Sequence, residues 1–347
     1  MPENHRDRIL SGMRPTGKLH LGNLVGALEN WIKLQDEYES YHFVADWHML
    51  TTEYANVGGL QENILEMVTD WLAAGLDPEK ATFFVQSRIP EHAELHLLFS
   101  MITPLGWLER VPTYKEQLEN LQGRDLHTYG FLGYPVLQAA DILIYKADAV
   151  PVGEDQVPHV ELTREIARRF NHHYGPVFPE PQALLTRAPR LPGTDGRKMS
   201  KSYGNAIYLS DPADVVSKKV AGMMTDPARK RRNDPGNPDV CPVFDFHKIF
   251  SAADVIGRVN RECRTAEIGC VECKKLMAAP LNRFLDPIRE RRRPLEENPQ
   301  RVWDILEAGT EKARLVAKET MKEVRATMKL AQEAPVKASI EELQHGR

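Results

Sequence analysis

The first 240 residues of this 347-residue chain contain no cysteine; all four, Cys241, Cys263, Cys270 and Cys273, fall in the last third. No apolar run approaches the roughly 20 residues that a membrane-spanning helix needs, so no membrane segment is expected. The N-terminal run Met1-Pro2-Glu3-Asn4-His5-Arg6-Asp7-Arg8 is charged and lacks an apolar core, so no secretory signal is visible. These absences point to a cytoplasmic protein in which disulfides are disfavoured. A dominant charge is missing too: the formal net charge is −4, which argues against a globally basic nucleic-acid binder. Local basic runs remain, Arg229-Lys230-Arg231-Arg232 and Arg289-Glu290-Arg291-Arg292-Arg293, and alone each reads as solvated surface.

The composition is that of a globular protein, 42% hydrophobic and 27% charged, and the length allows two domains with a substantial core. The chain is organised around Pro15-Thr16-Gly17-Lys18-Leu19-His20-Leu21-Gly22-Asn23. The lead Ile9-Leu10-Ser11-Gly12 reads as a strand, and Leu24, Val25, Leu28, Trp31, Ile32 and Leu34 follow at roughly helical spacing. Such a turn offers a close backbone approach and the unpaired N–H groups of a helix start, with His20 and Asn23 adding donors. The chemistry is phosphate binding; the plain alternative is an ordinary turn before an amphipathic helix.

Strands are expected at Tyr41–Asp46, carrying Trp47 and His48 at its end, at Thr82–Gln86, and at Ala149–Val152. Helices are expected from Leu60 to Gly75, from His96 to Leu108 and from Lys115 to Leu121. After breaks at Gly123, Gly130 and Gly133, another should run from Val136 to Tyr145. The alternation predicts an α/β fold, a Rossmann-like doubly wound parallel sheet, with ligand at the carboxyl ends of the strands. Gln138 and Asp141 share a helix face, and an Asp in so apolar a helix needs a partner. Gly153-Glu154-Asp155-Gln156 heads a further helix, with Leu162, Ile166 and Phe170 on one stripe. Gly193-Thr194-Asp195-Gly196-Arg197 is turn chemistry, placing Lys198-Met199-Ser200-Lys201-Ser202 on a surface loop. Past Asn205 the composition shifts towards helix formers, so residues 1–205 are expected as the Rossmann-type catalytic domain and 206–347 as a mainly α-helical one. Long helices should cover Pro280–Arg292 and Arg301–Leu330, with weak apolar content from Glu333 onward.

Cys270-Val271-Glu272-Cys273 has paired-ligand spacing, and Cys241 and Cys263 complete a four-thiolate set. Zn2+ and an iron–sulfur cluster both suit such a set, and spacing does not separate them.

Pro15–Asn23 together with Lys198–Ser202 resembles the two nucleotide-binding motifs of class I aminoacyl-tRNA synthetases. Within that class, residues 11–17, 134–141 and 150–156 look like tryptophanyl-tRNA synthetases, and the resemblance runs from Leu10 to about Met328. Asn23 stands where many class I enzymes have a second histidine, and Arg14 where many relatives carry glutamine. The cysteines, with Ile268-Gly269 before and Lys274-Lys275 after the pair, are similar to the subgroup that binds a 4Fe–4S cluster, which has one more residue between the first two cysteines.

The resemblance implies a homodimeric tryptophan–tRNA ligase acting with ATP and Mg2+. L-tryptophan becomes tryptophanyl-adenylate and is then passed to the 3′-terminal adenosine of tRNA(Trp), which the helical domain reads at its anticodon. It implies that His20, Asn23, Lys198 and Lys201 are catalytic. ATP would be bound by Arg14, Pro15, Thr16, Gly22, Asn23, Gly153, Glu154, Asp155 and Lys198–Ser202. Asp141 would accept the indole N–H, with Gln138, His48 and Gln156 as pocket neighbours, and the two basic runs would touch tRNA phosphates. Lys115 reads either as a surface lysine or as a phosphate ligand. The alternatives are a tyrosyl-tRNA synthetase, a small-molecule adenylyltransferase and an RNA-binding paralogue without catalysis.

Overall fold

Five short runs rich in aliphatic and aromatic residues form one parallel sheet: β1 (Arg8–Met13), β2 (Glu39–Val44), β3 (Ala81–Val85), β4 (Ala149–Val152) and β5 (Gln182–Leu185), in the order β3-β2-β1-β4-β5. The structure is a computed structural model that describes residues 6–112, 114, 126–185 and 191–330. The expected helix at Lys115–Leu121, Gly123, Lys115 itself and the segment from Glu333 lie outside the described residues. Side chains alternate across the sheet as the period of two requires. Tyr41, Phe43 and Phe84 enter one core, while Val44, Phe83 and Val85 enter the other. The strand order reverses between β1 and β4, which makes the carboxyl ends of those strands the switch point where an open α/β sheet receives ligand.

Beyond β1, α1 (Leu21–Asn23), a π-helical turn at Leu24–Leu28 and α2 (Glu29–Leu34) run on as one helical stretch. Next come α3 (Asp46–Glu53) and α4 (Leu60–Ala74), the latter closed by Gly75 as expected. The helix expected over His96–Leu108 is two: α5 (Glu91–Ser100) and α6 (Leu105–Leu108), separated at Pro104, which holds an extended backbone. Helix α7 (Tyr129–Ile144) starts six residues before Pro135, and Gly130 and Gly133 lie within it rather than in loops. The Thr128 hydroxyl caps it by accepting the Phe131 N–H at 3.2 Å, and its buried face packs on α5, so tertiary burial overrides local propensity. Helix α8 (Val157–Tyr174) buries Leu162, Ile166 and Phe170 together, as their spacing predicts.

After β5, a half-exposed strand the sequence did not announce, no strand forms among the described residues. The chain continues as α9 (Ala213–Ala221), α10 (Pro242–Phe250), α11 (Ala253–Arg264), α12 (Cys270–Glu297) and α13 (Pro299–Thr327). This helical half is built onto the sheet. Leu281, Leu285 and Ile288 of α12 share one core with α4, and Ala313, Ala317, Met321 and Val324 of α13 share the other with α5, α7 and α8. Helix α13 also covers the β3 edge so closely that a Cβ on Gly309 would lie 1.9 Å from the Phe83 carbonyl oxygen.

Candidate active site at the sheet's switch point

The expected turn from β1 into a helix forms, and its own side chains build it. His20 caps the helix: its Nδ1 accepts the Asn23 N–H at 3.3 Å, while Asn23 Oδ1 accepts the His20 N–H at 3.1 Å. Burial, with Lys201 and then Lys198 adding to it, holds the His20 imidazole down at about 4, so the ring is neutral at pH 7. With Nδ1 accepting, the proton resides on Nε2, which leaves a neutral N–H donor beside the helix N-terminus. Asn23 spends its carbonyl oxygen on the cap, a structural duty the motif alone does not reveal.

The lysine loop closes over this turn. Lys201 Nζ donates to the Thr16 carbonyl at 2.6 Å and lies 3.2 Å from its hydroxyl. Burial lowers the Lys201 ammonium to about 8 against the opposing pull of Asp70. Met199 is buried and packs towards Gly22, while Lys198 and Ser202 are exposed. Asn205, which the sequence did not single out, shapes the loop: its amide donates to Asp195 at 2.7 Å and to the Lys198 carbonyl at 3.1 Å, and its oxygen accepts the Ser200 N–H at 2.8 Å.

A cavity of about 460 Å3 opens at the ends of β1 and β4. Arg14, His48, Gln138, Asp141, Gly153 and Gln156 all line it, with Phe43, Phe131 and Tyr134 supplying aromatic walls. Pro15, Thr16, His20, Gly22 and Asn23 are not among its lining residues, and neither are Glu154, Asp155 and the lysine loop. The candidate site therefore has two parts, the His20 turn under the lysine loop and an aromatic chamber, with Arg14 at the chamber end of the turn. Glu154 is exposed, and Asp155 is exposed and accepts from Gln156 Nε2 at 2.9 Å. Arg14 donates to the Thr52 hydroxyl.

Asp141 is the buried charge of the chamber. His48 Nε2 lies 2.7 Å from Oδ2, His92 Nδ1 lies 2.6 Å from Oδ1, and Gln86 Nε2 bridges both oxygens at 2.8 and 2.9 Å. Burial pushes the carboxyl upward, but the hydrogen bonds from His48 and His92 outweigh it and hold Asp141 below the usual carboxylate range. Only His48, of those three partners, lines the cavity. Gln86, His92 and Tyr145, whose hydroxyl lies 2.7 Å from His92 Nε2, escaped the sequence reading. The signal was the unpartnered Asp itself, since a buried carboxylate demands donors from neighbouring elements. Tyr134 and His159 form another pair, 2.8 Å apart, at the cavity wall.

The cysteines converge without forming a recognisable metal centre. Cys273 is raised to about 12 by burial and by the other three thiols, so all four are electrostatic neighbours. Among the described residues, however, no group of three or more His, Cys, Asp or Glu side chains is arranged to hold a metal ion. The basic runs also depart from the expected phosphate-facing surfaces. Arg292 is 3% exposed and paired with Asp70, Glu66 and Glu296, while Arg291 Nε donates to the Ala73 carbonyl at 2.6 Å and Arg289 Nε to that of Asp211 at 2.8 Å. In the first run, Arg229 and Arg232 donate to the Ile268, Ala266 and Glu267 carbonyls, bracing the loop before Cys270.

A parallel sheet with a histidine-capped turn at its switch point, closed by a two-lysine loop beside an aromatic chamber, is the arrangement of an open α/β enzyme that takes its ligand at the strand ends. The chain matches the family described as tRNA synthetases class I (W and Y) over residues 2–286. It is 60% identical over 325 residues to the tryptophan–tRNA ligase of Thermotoga maritima, covering 93% of this chain and 99% of that protein. The tryptophan–tRNA ligase of Aquifex aeolicus is 48% identical over 393 residues, covering 93% of this chain and 100% of that protein. The crystal structure of tryptophanyl-tRNA synthetase from Campylobacter jejuni complexed with ADP and tryptophan is similar, with a TM-score of 0.84 and 33% identity over 93% of this chain and 100% of that one. The chain belongs to the class I tRNA synthetase family and, within it, sits among the tryptophan–tRNA ligases.

Proposed function

We propose that this protein is a tryptophan–tRNA ligase, forming tryptophanyl-adenylate and pyrophosphate from L-tryptophan and ATP and then esterifying the 3′-terminal adenosine of tRNA(Trp). The observation that carries the assignment of roles is a buried carboxylate, Asp141, in the same chamber as Arg14, the residue that leads into the phosphate clamp. Adenylation needs alignment and charge stabilisation more than an acid or base, because the tryptophan carboxylate is already the nucleophile. Its oxygen bonds to the α-phosphorus as the bond from that phosphorus to the bridging oxygen of pyrophosphate breaks. His20 Nε2–H and the Gly22 N–H face the phosphates, and Lys198 and Lys201 offset charge on the departing pyrophosphate. Mg2+ bound with ATP shares that charge. Arg14, Pro15, Thr16 and Gly153–Asp155 flank the nucleotide.

In this account Asp141 accepts the indole N–H from the chamber side, where His48 is the partner that yields or shares Oδ2. Phenylalanine has no donor at that position and forfeits the hydrogen bond to the buried carboxylate, a loss the site turns into discrimination. Gln138 and Gln156 line the same chamber.

Residues 206–347 would then be the tRNA-binding part, and the exposed Lys230 and Arg231 remain as phosphate contacts. For the four cysteines, a 4Fe–4S cluster is the proposed occupant and Zn2+ the alternative. All four donors are soft thiols, and the Arg229 guanidinium lies 3.8 Å from Cys263 Sγ, where it would offset thiolate charge. A homodimer is supported by the exposed Leu97 of α5, Met101 just past its end, Leu105 of α6 and Tyr129 of α7, on elements that pack together. No described helix is long and apolar enough to cross a membrane, and none of the cysteines is in a disulfide, which suits a cytoplasmic enzyme. Charging of tRNA(Trp) with radiolabelled tryptophan tests the assignment. An ATP-dependent ester at the terminal adenosine is expected, and charging of a tyrosine tRNA with tyrosine instead would reject it.

A further inference from the structure

The phosphate turn is held from behind by a side chain of α4. Asp70, with no exposed surface, accepts the Leu19 backbone N–H on Oδ2 at 2.6 Å. Its other oxygen, Oδ1, accepts from the Arg292 guanidinium of α12. The remaining guanidinium nitrogens are taken by Glu66 of α4 and by Glu296, with Nε 2.7 Å from Glu296 Oε1. The backbone around His20 has no other freedom: the Leu19 carbonyl accepts the Leu209 N–H at 3.0 Å, and the Leu21 N–H donates to the Ile207 carbonyl at 2.9 Å. Upstream, Gly17 adopts φ +87°, and a Cβ there would lie 2.7 Å from Asn63 Oδ1, also on α4. Helix α4 thus holds the turn at Leu19 through Asp70 and crowds it at Gly17 through Asn63, and α12 fixes Asp70.

We propose that Asp70 and Arg292 are positioning residues for the ATP site: Arg292 orients the Asp70 carboxylate, and Asp70 orients the Leu19 peptide so that His20 and the Gly22 N–H face the phosphates. The proposal rests on the reading of this turn as the ATP site. A buried ion pair is seldom retained for stability, since apolar residues of similar volume do as well or better. An apolar pair, however, cannot accept the Leu19 N–H on a fixed oxygen. Two oxygens are required here, one for the turn and one for α12, and a carboxylate supplies both. The arrangement also makes the ATP turn depend on a residue of the helical half, 273 positions further along the chain.

The test is tryptophan-dependent ATP–pyrophosphate exchange with the full chain, comparing wild type, Asp70→Asn, Arg292→Lys and the double variant. Each single change is expected to raise KM for ATP at least tenfold while leaving KM for tryptophan within twofold. The double variant should be no worse than Asp70→Asn, because Arg292 acts through Asp70. Arg292→Lys keeps the cation and serves as the folded variant if Asp70→Asn does not fold. A lower melting temperature with both KM values unchanged, or an equal rise in both, would overturn the proposal and leave the ATP site standing. A wild-type protein that exchanges no pyrophosphate from ATP would instead remove the ATP site, and the proposal with it.

Discussion

Lys201 sets the sharpest expectation, because the role proposed for it needs its charge and its surroundings oppose that charge. The ammonium sits against Thr16, 2.6 Å from the carbonyl oxygen, and burial lowers it to about 8. Only the protonated form offsets charge on pyrophosphate, and that form is lost as pH rises. The value of kcat/KM for ATP, which reports the free enzyme, should therefore hold steady near pH 7 and fall to half at about pH 8. By pH 9 it should be about tenfold below its plateau. In the ATP complex the phosphates favour the ammonium, so the limb in kcat should lie at higher pH than the limb in kcat/KM. Lys201→Arg keeps a cation that does not titrate in this range and should flatten the alkaline limb. Lys201→Gln should lower kcat by about 10² to 10³ at pH 7, the usual loss on removing one preorganised charge donor. Pyrophosphate exchange followed from pH 6 to 9.5 reads all three. A flat wild-type profile through pH 9, or an unchanged limb in Lys201→Arg, would refute the role assigned to this ammonium.

Three further outcomes are expected. His42 is fully buried, stacked on Trp31 at 4.4 Å, and neither ring nitrogen has a hydrogen-bond partner; burial holds it at about 3. The unfolded chain therefore takes a proton below about pH 6.5 that the folded chain refuses, and stability should fall by about 2 kcal/mol between pH 6.5 and 5 on this account. His42→Phe should abolish that share in urea titrations, and an unchanged pH dependence would contradict it. Asp141→Asn turns a four-bond acceptor into a group with one oxygen and an amide facing donors; about 3 kcal/mol of stability and most tryptophan affinity should go, and retention of wild-type KM for tryptophan would exclude Asp141 as the indole acceptor. Wild-type protein purified without oxygen should contain iron and sulfide and Cys273→Ser should not, whereas a colourless zinc protein would decide for the alternative.

The sheet was legible because its strands are short apolar or aromatic runs set between amphipathic helices, and the two loops that meet at the His20 turn stood out because glycine, histidine and lysine are concentrated there. β5 was not, since Gln182-Ala183-Leu184-Leu185 is only half buried and too short for its alternation to stand out. Helix α7 was cut short because Gly130, Gly133 and Pro135 oppose helix locally, while burial against α5 decides in its favour. Arg292 was taken for part of a basic surface. Its position after Leu281, Leu285 and Ile288, and three before Leu295, puts it on the buried seam of α12 at alternating spacings of four and three. That seam was readable, and the charges around it obscured it. Asp141 was found from its apolar helix, but Gln86 and His92 come from other elements that only the fold brings to it.

The central claim is that the chamber around Asp141 selects tryptophan for the ATP clamp formed by the His20 turn and the lysine loop. ATP–pyrophosphate exchange by the wild-type protein, measured with tryptophan, tyrosine and phenylalanine in parallel, tests it most directly. The account predicts exchange with tryptophan and kcat/KM lower by at least about 10²-fold with the other two. Exchange supported by tyrosine and not by tryptophan would contradict it.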